Sequence, residues 1–375
     1  MRILILSESI AGSGHTIAAK NVAKGIHLLY PKAEIKIDTS LTRVSPLLEK
    51  VTSHLYLSTI QRASPLWGWA YNRERQWSFL GKDLLRKFTG RRLESYIKEE
   101  SPDVVISTHA FCLGGLVELK QKYPHSFVLG AAFTDFLINP FWIFPEVDFY
   151  FVGADQLKKQ MVEHYGISAE NIFVTGIPID PVFNQSLSRE TIRNYLQIPP
   201  NHFHILVTGG GLGVGAYEEI LSALGKVDGN LTVSVFVGNN QKLRREIESL
   251  LTEYLHPVFL HDYVSNMNEW MQAADLLIGK PGGLTVSEAL ACSLPLLIYK
   301  PIPGQEERNT RFLLASEAAW QAKSPEEIIR LVQQLLVNPR DLILLRQKAQ
   351  QISRPNAAKQ VGEIILEKTN ATPKN

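Results

Sequence analysis

The sequence predicts an α/β protein in two halves, each a parallel sheet covered by helices on both faces. Three observations lead there. The chain has 375 residues, more than a single hydrophobic core usually serves, so two domains are expected. Short apolar runs alternate with segments of helical period, the pattern of strand–helix–strand units. The series then restarts at Phe203, after a stretch, Gly176–Pro200, with prolines at 178, 181, 199 and 200. Such a stretch marks a connection between domains.

Taken in order, Arg2–Ser7 reads as a buried strand and Ile17–Tyr30 as the helix that follows it. A second strand ends near Asp38. Asp103–Ser107, Phe127–Ala132 and Phe149–Val152 are further strands, and Gln156–Tyr165 is helical. In the second half the strands are Phe203–Thr208, Leu231–Val237, Pro257–Leu260, Leu276–Gly279 and Leu294–Tyr299. Ser324-Pro325-Glu326-Glu327 forms a capping box with proline at the first helical position, so a helix starts at Pro325. Arg354-Pro355 breaks the helical tail, and Thr369–Asn375 should fray. The expected division is an amino-terminal domain over 1–185, a second domain over 186–353, and a terminal helix within 354–375 that packs back on the first.

Composition excludes several classes. Hydrophobic residues make up 45% and charged residues 20% of the chain, which is ordinary for a globular protein and not for a disordered one. A net charge of +2 provides no global field to recruit nucleic acid. The only cysteines, Cys112 and Cys292, are far apart, so no zinc spacing or disulfide framework exists and a reducing cytosol is expected. The apolar run at the amino terminus ends at Ser7, too short for a signal peptide. No apolar run reaches about 18 residues, so any membrane contact should be peripheral.

The richest chemistry lies in the carboxyl half. Gly279-Lys280-Pro281-Gly282-Gly283-Leu284-Thr285-Val286-Ser287-Glu288 follows a strand and opens a helix. Glycines there let a ligand approach the backbone. The helix amino terminus adds unpaired N–H groups and partial positive charge, which suit a diphosphate. Glu288, about one turn in, could accept hydrogen bonds from ribose hydroxyls. The plainer reading is a glycine-rich turn with a solvated glutamate. After the next strand, Pro303-Gly304-Gln305-Glu306 and then Asn309 bring amide and carboxylate groups able to read sugar hydroxyls. Upstream, Gly209-Gly210-Gly211-Leu212-Gly213 follows the first strand of this half and could admit a phosphate. Three loops after parallel strands converge on the edge where such sheets bind ligands.

This joint pattern over Gly279–Asn309 resembles the donor motif of the monogalactosyldiacylglycerol synthase and processive diacylglycerol glucosyltransferase family. A more distant likeness is to the lipid-intermediate N-acetylglucosaminyltransferase of peptidoglycan synthesis. The resemblance implies a GT-B fold, two Rossmann-like domains facing across a cleft, and a UDP-sugar donor such as UDP-glucose or UDP-galactose. It implies Glu288 on the ribose and Gln305 and Glu306 near the sugar. The donor set expected here is Gly14, Gly210, Gly211, Lys280, Gly282, Gly283, Leu284, Thr285, Glu288, Gln305, Glu306 and Asn309.

In the amino half, Gly12-Ser13-Gly14-His15 joins the first strand to the first helix. A neutral imidazole at a helix start can take a proton from an acceptor hydroxyl. A dinucleotide site is a poor alternative, because Ile17 stands where the third glycine of G-x-G-x-x-G belongs, although Asp38 superficially fits a ribose acid. The bland alternative is a turn histidine satisfied by backbone. Gly12-x-Gly14-His15 matches the family's amino-terminal motif, and the resemblance implies His15 as base. Ser107-Thr108-His109, Thr134-Asp135-Phe136 and Trp142 extend the match. Asp135 ends a strand and could orient a base or acceptor; His109 could do the same. Relatives commonly carry proline where this chain has Ala110, and histidine where it has Asn139 before Pro140. Asparagine cannot shuttle protons near neutral pH.

Residues 41–98 interrupt the strand–helix rhythm with eleven basic and four acidic side chains, a net of +7. Trp67, Trp69, Arg73, Arg75 and Trp77 mix cations with aromatics. That combination suits an anionic membrane surface, though a solvated helical hairpin with core tryptophans would also produce it. No nucleic-acid motif accompanies it.

These readings lead to an inverting hexosyltransferase acting on a diacylglycerol-type lipid at the cytoplasmic face of the membrane. No Asp-x-Asp motif occurs, so no metal and no cofactor are expected. The competing readings are a transferase for an undecaprenyl-linked acceptor, a UDP-N-acetylglucosamine 2-epimerase, and a UDP-sugar sensor without turnover.

Overall fold

The structure, a computed structural model, describes residues 1–8, 14–44, 74–251 and 254–370, with the side chains of 41, 74–85 and 370 left aside. Among these residues the alternation produces two six-stranded sheets in which every pairing is parallel. Contacts divide the chain into two compact units. The first gathers Met1–Pro181, Pro303–Gln305 and the segment from Asn356 onward; the second holds Val182–Ile302 and Glu306–Pro355.

The first unit contains β1 (Arg2–Ser7), β2 (Glu34–Thr39), β3 (Val104–Ser107), β4 (Val128–Ala132), β5 (Phe149–Phe151) and β6 (Ile172–Phe173), in the order β2-β1-β3-β4-β5-β6. Its helices are α1 (Gly14–Leu29), α2 (Ser40–Val44), α3 (Glu74–Glu100), α4 (Ala110–Lys122) and α5 (Asp155–Tyr165). Side chains alternate across the sheet as a pleated strand requires. Leu4, Leu6 and Val105 enter the core that Leu93 of α3 and Leu113, Leu116 and Val117 of α4 complete. Ile3, Ile5, Val104 and Ile106 enter the opposite core with Val22 and Ile26 of α1.

The second unit contains α6 (Arg189–Tyr195), β7 (Phe203–Thr208), α7 (Tyr217–Leu224), β8 (Leu231–Phe236), α8 (Gln241–Leu250), β9 (Val258–His261), α9 (Met267–Ala273), β10 (Leu276–Gly279), α10 (Gly283–Ala291), β11 (Leu296–Tyr299), α11 (Gln305–Ala315), β12 (Ala319–Ala322), α12 (Pro325–Val337) and α13 (Pro339–Ile352). Its strand order is β12-β11-β10-β7-β8-β9. Below the sheet, Asp275 is buried and receives hydrogen bonds from Arg193 Nη2 (2.6 Å), Arg346 Nη2 (3.0 Å), Arg189 and the His204 amide (3.0 Å), tying α6 and α13 to β7 and β10.

Several boundaries differ from the sequence reading for identifiable reasons. Two strands begin after a proline rather than at or before it, because proline has no N–H for the ladder. The carbonyls of Pro257 and Pro295 still accept from Val233 and Leu277. β6 and β12 are short edge strands without a distinct apolar run. Asn338-Pro339 adds a helix break, with the proline starting α13. Ser324 caps α12 as its motif requires, accepting from the Glu327 amide.

The last helix, α14 (Ala357–Asn370), lies on α1 and contributes Val361 and Ile365 to the core beneath β1. The approach is close because Gly25 has no side chain: a Cβ there would stand 2.1 Å from the Ala358 carbonyl oxygen. Gly25→Ala should therefore destabilise the first unit by about 1–3 kcal/mol through overpacking. Urea unfolding measures this, and unchanged stability would mean that α14 does not dock here.

Candidate functional site

In the first unit the chain runs outward to both sides of one boundary, between β1 and β3, where the strand order reverses. Loops leaving the carboxyl ends of strands at such a point form a crevice. The register places Leu6 beside Ser107 and Ser107 beside Ala131, so the loops after β1, β3 and β4 emerge side by side. Residues 9–13, including Gly12, lie outside the described residues. Gly14 and His15 open α1.

His15 is clamped between two of these loops. Its Nδ1 lies 2.9 Å from the Thr108 carbonyl oxygen, and Thr108 Oγ1 donates back to the His15 carbonyl at 3.1 Å. A carbonyl oxygen accepts only, so Nδ1 carries the proton and Nε2 is the basic nitrogen. Thr134 Oγ1 stands 2.9 Å from the same Nδ1. Enclosure of the ring disfavours its cation and pulls the pKa from the ordinary 6.5 to about 4, against the opposing pull of the Thr108 carbonyl.

His109 caps α4: its Nδ1 accepts from the Phe111 amide at 3.2 Å, so its proton sits on Nε2. The two rings meet edge to face, centroids 4.6 Å apart. Burial, and then the charge of His15, hold His109 well below the usual imidazole range. Asp135 follows Thr134, whose hydroxyl donates to Asp135 Oδ2 across 3.5 Å. Gln305, which groups with this unit, also donates to Asp135 Oδ2. Ala110 packs against the core, and Asn139 Oδ1 caps a short helical turn by accepting from Phe141 N at 2.8 Å.

In the second unit the order reverses between β7 and β10. Gly209–Gly213 leaves β7 and Lys280–Gly282 leaves β10, so the two glycine loops flank that point. Gly210 has φ +76°, a left-handed conformation that favours glycine. The first loop is held from below by Tyr217, whose hydroxyl accepts from Gly209 N (2.6 Å) and donates to the Phe236 carbonyl (2.8 Å). Gly282 is the cap residue of α10 and supplies no side-chain cap. The first intrahelical bond runs from Val286 N to Gly282 O, so the amides of Gly283, Leu284 and Thr285 precede the helical ladder. A Cβ on Gly282 would meet only the ends of Glu306 and Lys280, each at 3.9 Å, so packing does not demand glycine there. The bare backbone suits a ligand instead.

Three hydrogen bonds hold the loop after β10 and the segment from Ile302 to Asn309 in place. Lys280 Nζ bonds Glu306 Oε1 at 2.6 Å, while Glu306 Oε2 accepts from Ile302 N at 2.8 Å. Asn309 is fully enclosed and donates to the Pro281 carbonyl at 3.0 Å. Glu306 and Asn309 thus sit within the loop framework. Glu288 is half-buried on α10, close enough that its charge adds to burial in raising Cys292 to about 12.

Trp67, Trp69 and Arg73 lie outside the described residues; Arg75 and Trp77 fall in α3, where side chains are described only from Arg86. From there Lys87, Arg91, Arg92 and Lys98 are exposed, and Phe88 is 44% exposed beneath the Arg92 guanidinium, 5.4 Å from its ring. Sequence reasoning did not single out the roles of Thr108 and Thr134, whose partner His15 is remote in the chain, or of Tyr217, which joins the loop after β7 to β8.

Comparison with known proteins adds family information. Residues 15–179 match the family described as monogalactosyldiacylglycerol (MGDG) synthase, and residues 204–361 match the glycosyltransferase family 28 C-terminal domain. A processive diacylglycerol beta-glucosyltransferase of Bacillus cytotoxicus is 31% identical over 99% of this chain and 94% of its own. MurG of Acinetobacter baumannii superposes with a TM-score of 0.63 at 16% identity, covering 98% of this chain and 99% of that one. Anabaena HepE in complex with UDP-glucose gives 0.56 at 14% identity, covering 99% and 100%. These likenesses show the two-domain GT-B fold.

One direct check applies to the first unit. Nuclear magnetic resonance of ring-labelled histidine should show His15 titrating at about 4, neutral throughout pH 5–8. A midpoint at 6.5 would refute the enclosure.

Proposed function

Because the chain belongs to the monogalactosyldiacylglycerol synthase and processive diacylglycerol glucosyltransferase family, we propose that it moves a hexose from a UDP-sugar to a diacylglycerol-type lipid with inversion. The observation that carries the chemistry is the committed Nδ1 of His15, which leaves Nε2 as the basic nitrogen. Nε2 takes the acceptor hydroxyl proton as that oxygen attacks the anomeric carbon from the face opposite the leaving group. The bond from anomeric carbon to phosphate oxygen breaks, and UDP departs with its electron pair. An α-linked donor then yields a β-glycoside.

The developing diphosphate charge is met by the amides of Gly283, Leu284 and Thr285 and by the partial positive charge of the α10 terminus. Gly210 and Gly211 line the neighbouring loop. Glu288 takes the ribose hydroxyls and Gln305 the sugar. Lys280, Glu306 and Asn309 hold these loops in shape, with Lys280 adding positive charge. The name of the Bacillus cytotoxicus relative supports UDP-glucose over UDP-galactose. The sequence contains no Asp-x-Asp motif, which supports transfer without a divalent metal.

The enzyme works on a membrane surface. No helix among the described residues is long and apolar enough to cross a membrane. The exposed cations of α3 beside Phe88 supply a peripheral contact with anionic lipid.

Purified protein given UDP-glucose should release UDP only when diacylglycerol is present, and should do so in EDTA. Release that needs an undecaprenyl-linked acceptor, conversion of a UDP-sugar without acceptor, or binding without turnover would each overturn the reading. His15→Ala should lower turnover at least about 100-fold; near-native turnover would remove the base. The protein should also sediment with anionic liposomes at low salt and detach as salt rises. Failure to sediment would reject the membrane contact.

A further inference from the structure

We propose that Thr134 is a positioning residue that links the Nδ1–H of His15, set by the Thr108 carbonyl, to the Asp135 carboxylate. The inference rests on His15 being the base, and it assigns the residue through which Asp135 stabilises the cation formed there.

Thr134 is 6% exposed and follows the end of β4, the strand beside β3. Its Oγ1 is 2.9 Å from His15 Nδ1 and 3.5 Å from Asp135 Oδ2. A hydroxyl has one proton and two lone pairs. Two orientations are conceivable. If Thr134 donated to His15, Nδ1 would present a lone pair to the Thr108 carbonyl, also 2.9 Å away, and two acceptors would face each other. If Nδ1 carries the proton, both oxygens accept from it and the threonine proton turns to the Asp135 carboxylate. Only the second arrangement pairs every donor with an acceptor.

This orientation creates a directed chain: His15 Nδ1–H to Thr134 Oγ1, then Thr134 O–H to Asp135. Such chains polarise one another in a low-dielectric setting. When Nε2 takes the acceptor proton, part of the positive charge appears at Nδ1–H, where the oriented hydroxyl and the carboxylate beyond it stabilise it. Asp135 therefore acts on the imidazolium through Thr134. The clamp from Thr108 Oγ1 to the His15 carbonyl holds the backbone while this happens.

Thr134→Val removes the hydroxyl and keeps the branched shape; Thr134→Ser keeps the hydroxyl. With ring nitrogens of histidine labelled, nuclear magnetic resonance at pH 7 reports the His15 tautomer and a pH titration its midpoint, the signals identified by their loss in His15→Asn. The expected result is Nδ1–H in the wild type and in both variants, because the Thr108 carbonyl remains, with the His15 midpoint lower in Thr134→Val, where the cation loses its link to Asp135, and restored in Thr134→Ser. In lipid-dependent transfer, Thr134→Val should lower kcat about 10- to 100-fold, with donor KM within about twofold, and Thr134→Ser should recover most of the loss. A wild type that carries its proton on Nε2 would overturn the proposal without any variant. So would Thr134→Val with wild-type kcat and an unchanged His15 midpoint. If the chain transferred no sugar, the proposed function would fall while the His15 titration still decided this point: a lower midpoint in Thr134→Val supports the link, and no change rejects it.

Discussion

The bond between His15 Nδ1 and the Thr108 carbonyl is the contact on which the chemistry proposed for the first unit depends. It exists because β1 and β3 are register partners and the strand order reverses between them. The Thr108 amide extends the ladder by donating to Leu6 O, which brings its own carbonyl and hydroxyl to the start of α1. A main-chain acceptor is a firm way to set a tautomer: no side-chain rotation removes it, and no change of pH turns it into a donor. Enclosure adds the second half of the device by keeping the ring neutral, with its pKa at about 4. The proposed base, so depressed, is intrinsically weak. It gains from any group that stabilises the cation only as that cation forms, which is where preorganised dipoles act most strongly.

The second unit solves a different problem. A diphosphate site needs backbone amides presented without side chains in the way, and exposed glycine loops are costly to order. The structure offsets that cost from beneath. Tyr217 pairs the Gly209 amide with the Phe236 carbonyl, Asn309 holds Pro281, and Glu306 joins Lys280 to the Ile302 amide. Polar residues of the motif are therefore divided between holding the loops and reaching a ligand. Burial separates the two groups: Asn309 is fully enclosed, while Glu288 is half-buried on the outer turn of α10.

The parts of this fold governed by local rules are legible in the sequence. β1, β7 and β10 coincide with their apolar runs, and Ser324 caps α12 as the capping box requires. Edge strands β6 and β12 are not legible, because a strand of two or four residues buried by its neighbours needs no distinct pattern of its own. The same division runs through the candidate site. His15, Gly282 and Glu288 announce themselves by position after a strand or on a helix. Thr134 and Tyr217 do not, since each acts on a partner brought near only by the sheet: Thr134 meets a histidine 119 residues away, and Tyr217 spans two strands. Glu306 and Asn309 are visible as motif residues, but burial alone reveals that they face inward.

Ala110 and Asn139, the two departures from the family pattern, fit this arrangement. Ala110 begins α4 and packs against the core, so the helix start tolerates a small residue once His109 supplies the cap. Asn139 Oδ1 accepts from the Phe141 amide. A histidine Nδ1 can accept from an amide in the same way, as His109 does from Phe111. Asparagine therefore keeps the capping function while giving up the ability to carry a proton near neutral pH. With His109 also committed as a cap and held neutral, the proposed proton removal is left to His15. The groups around it, Thr108, Thr134 and Asp135, are each placed to direct that nitrogen rather than to replace it.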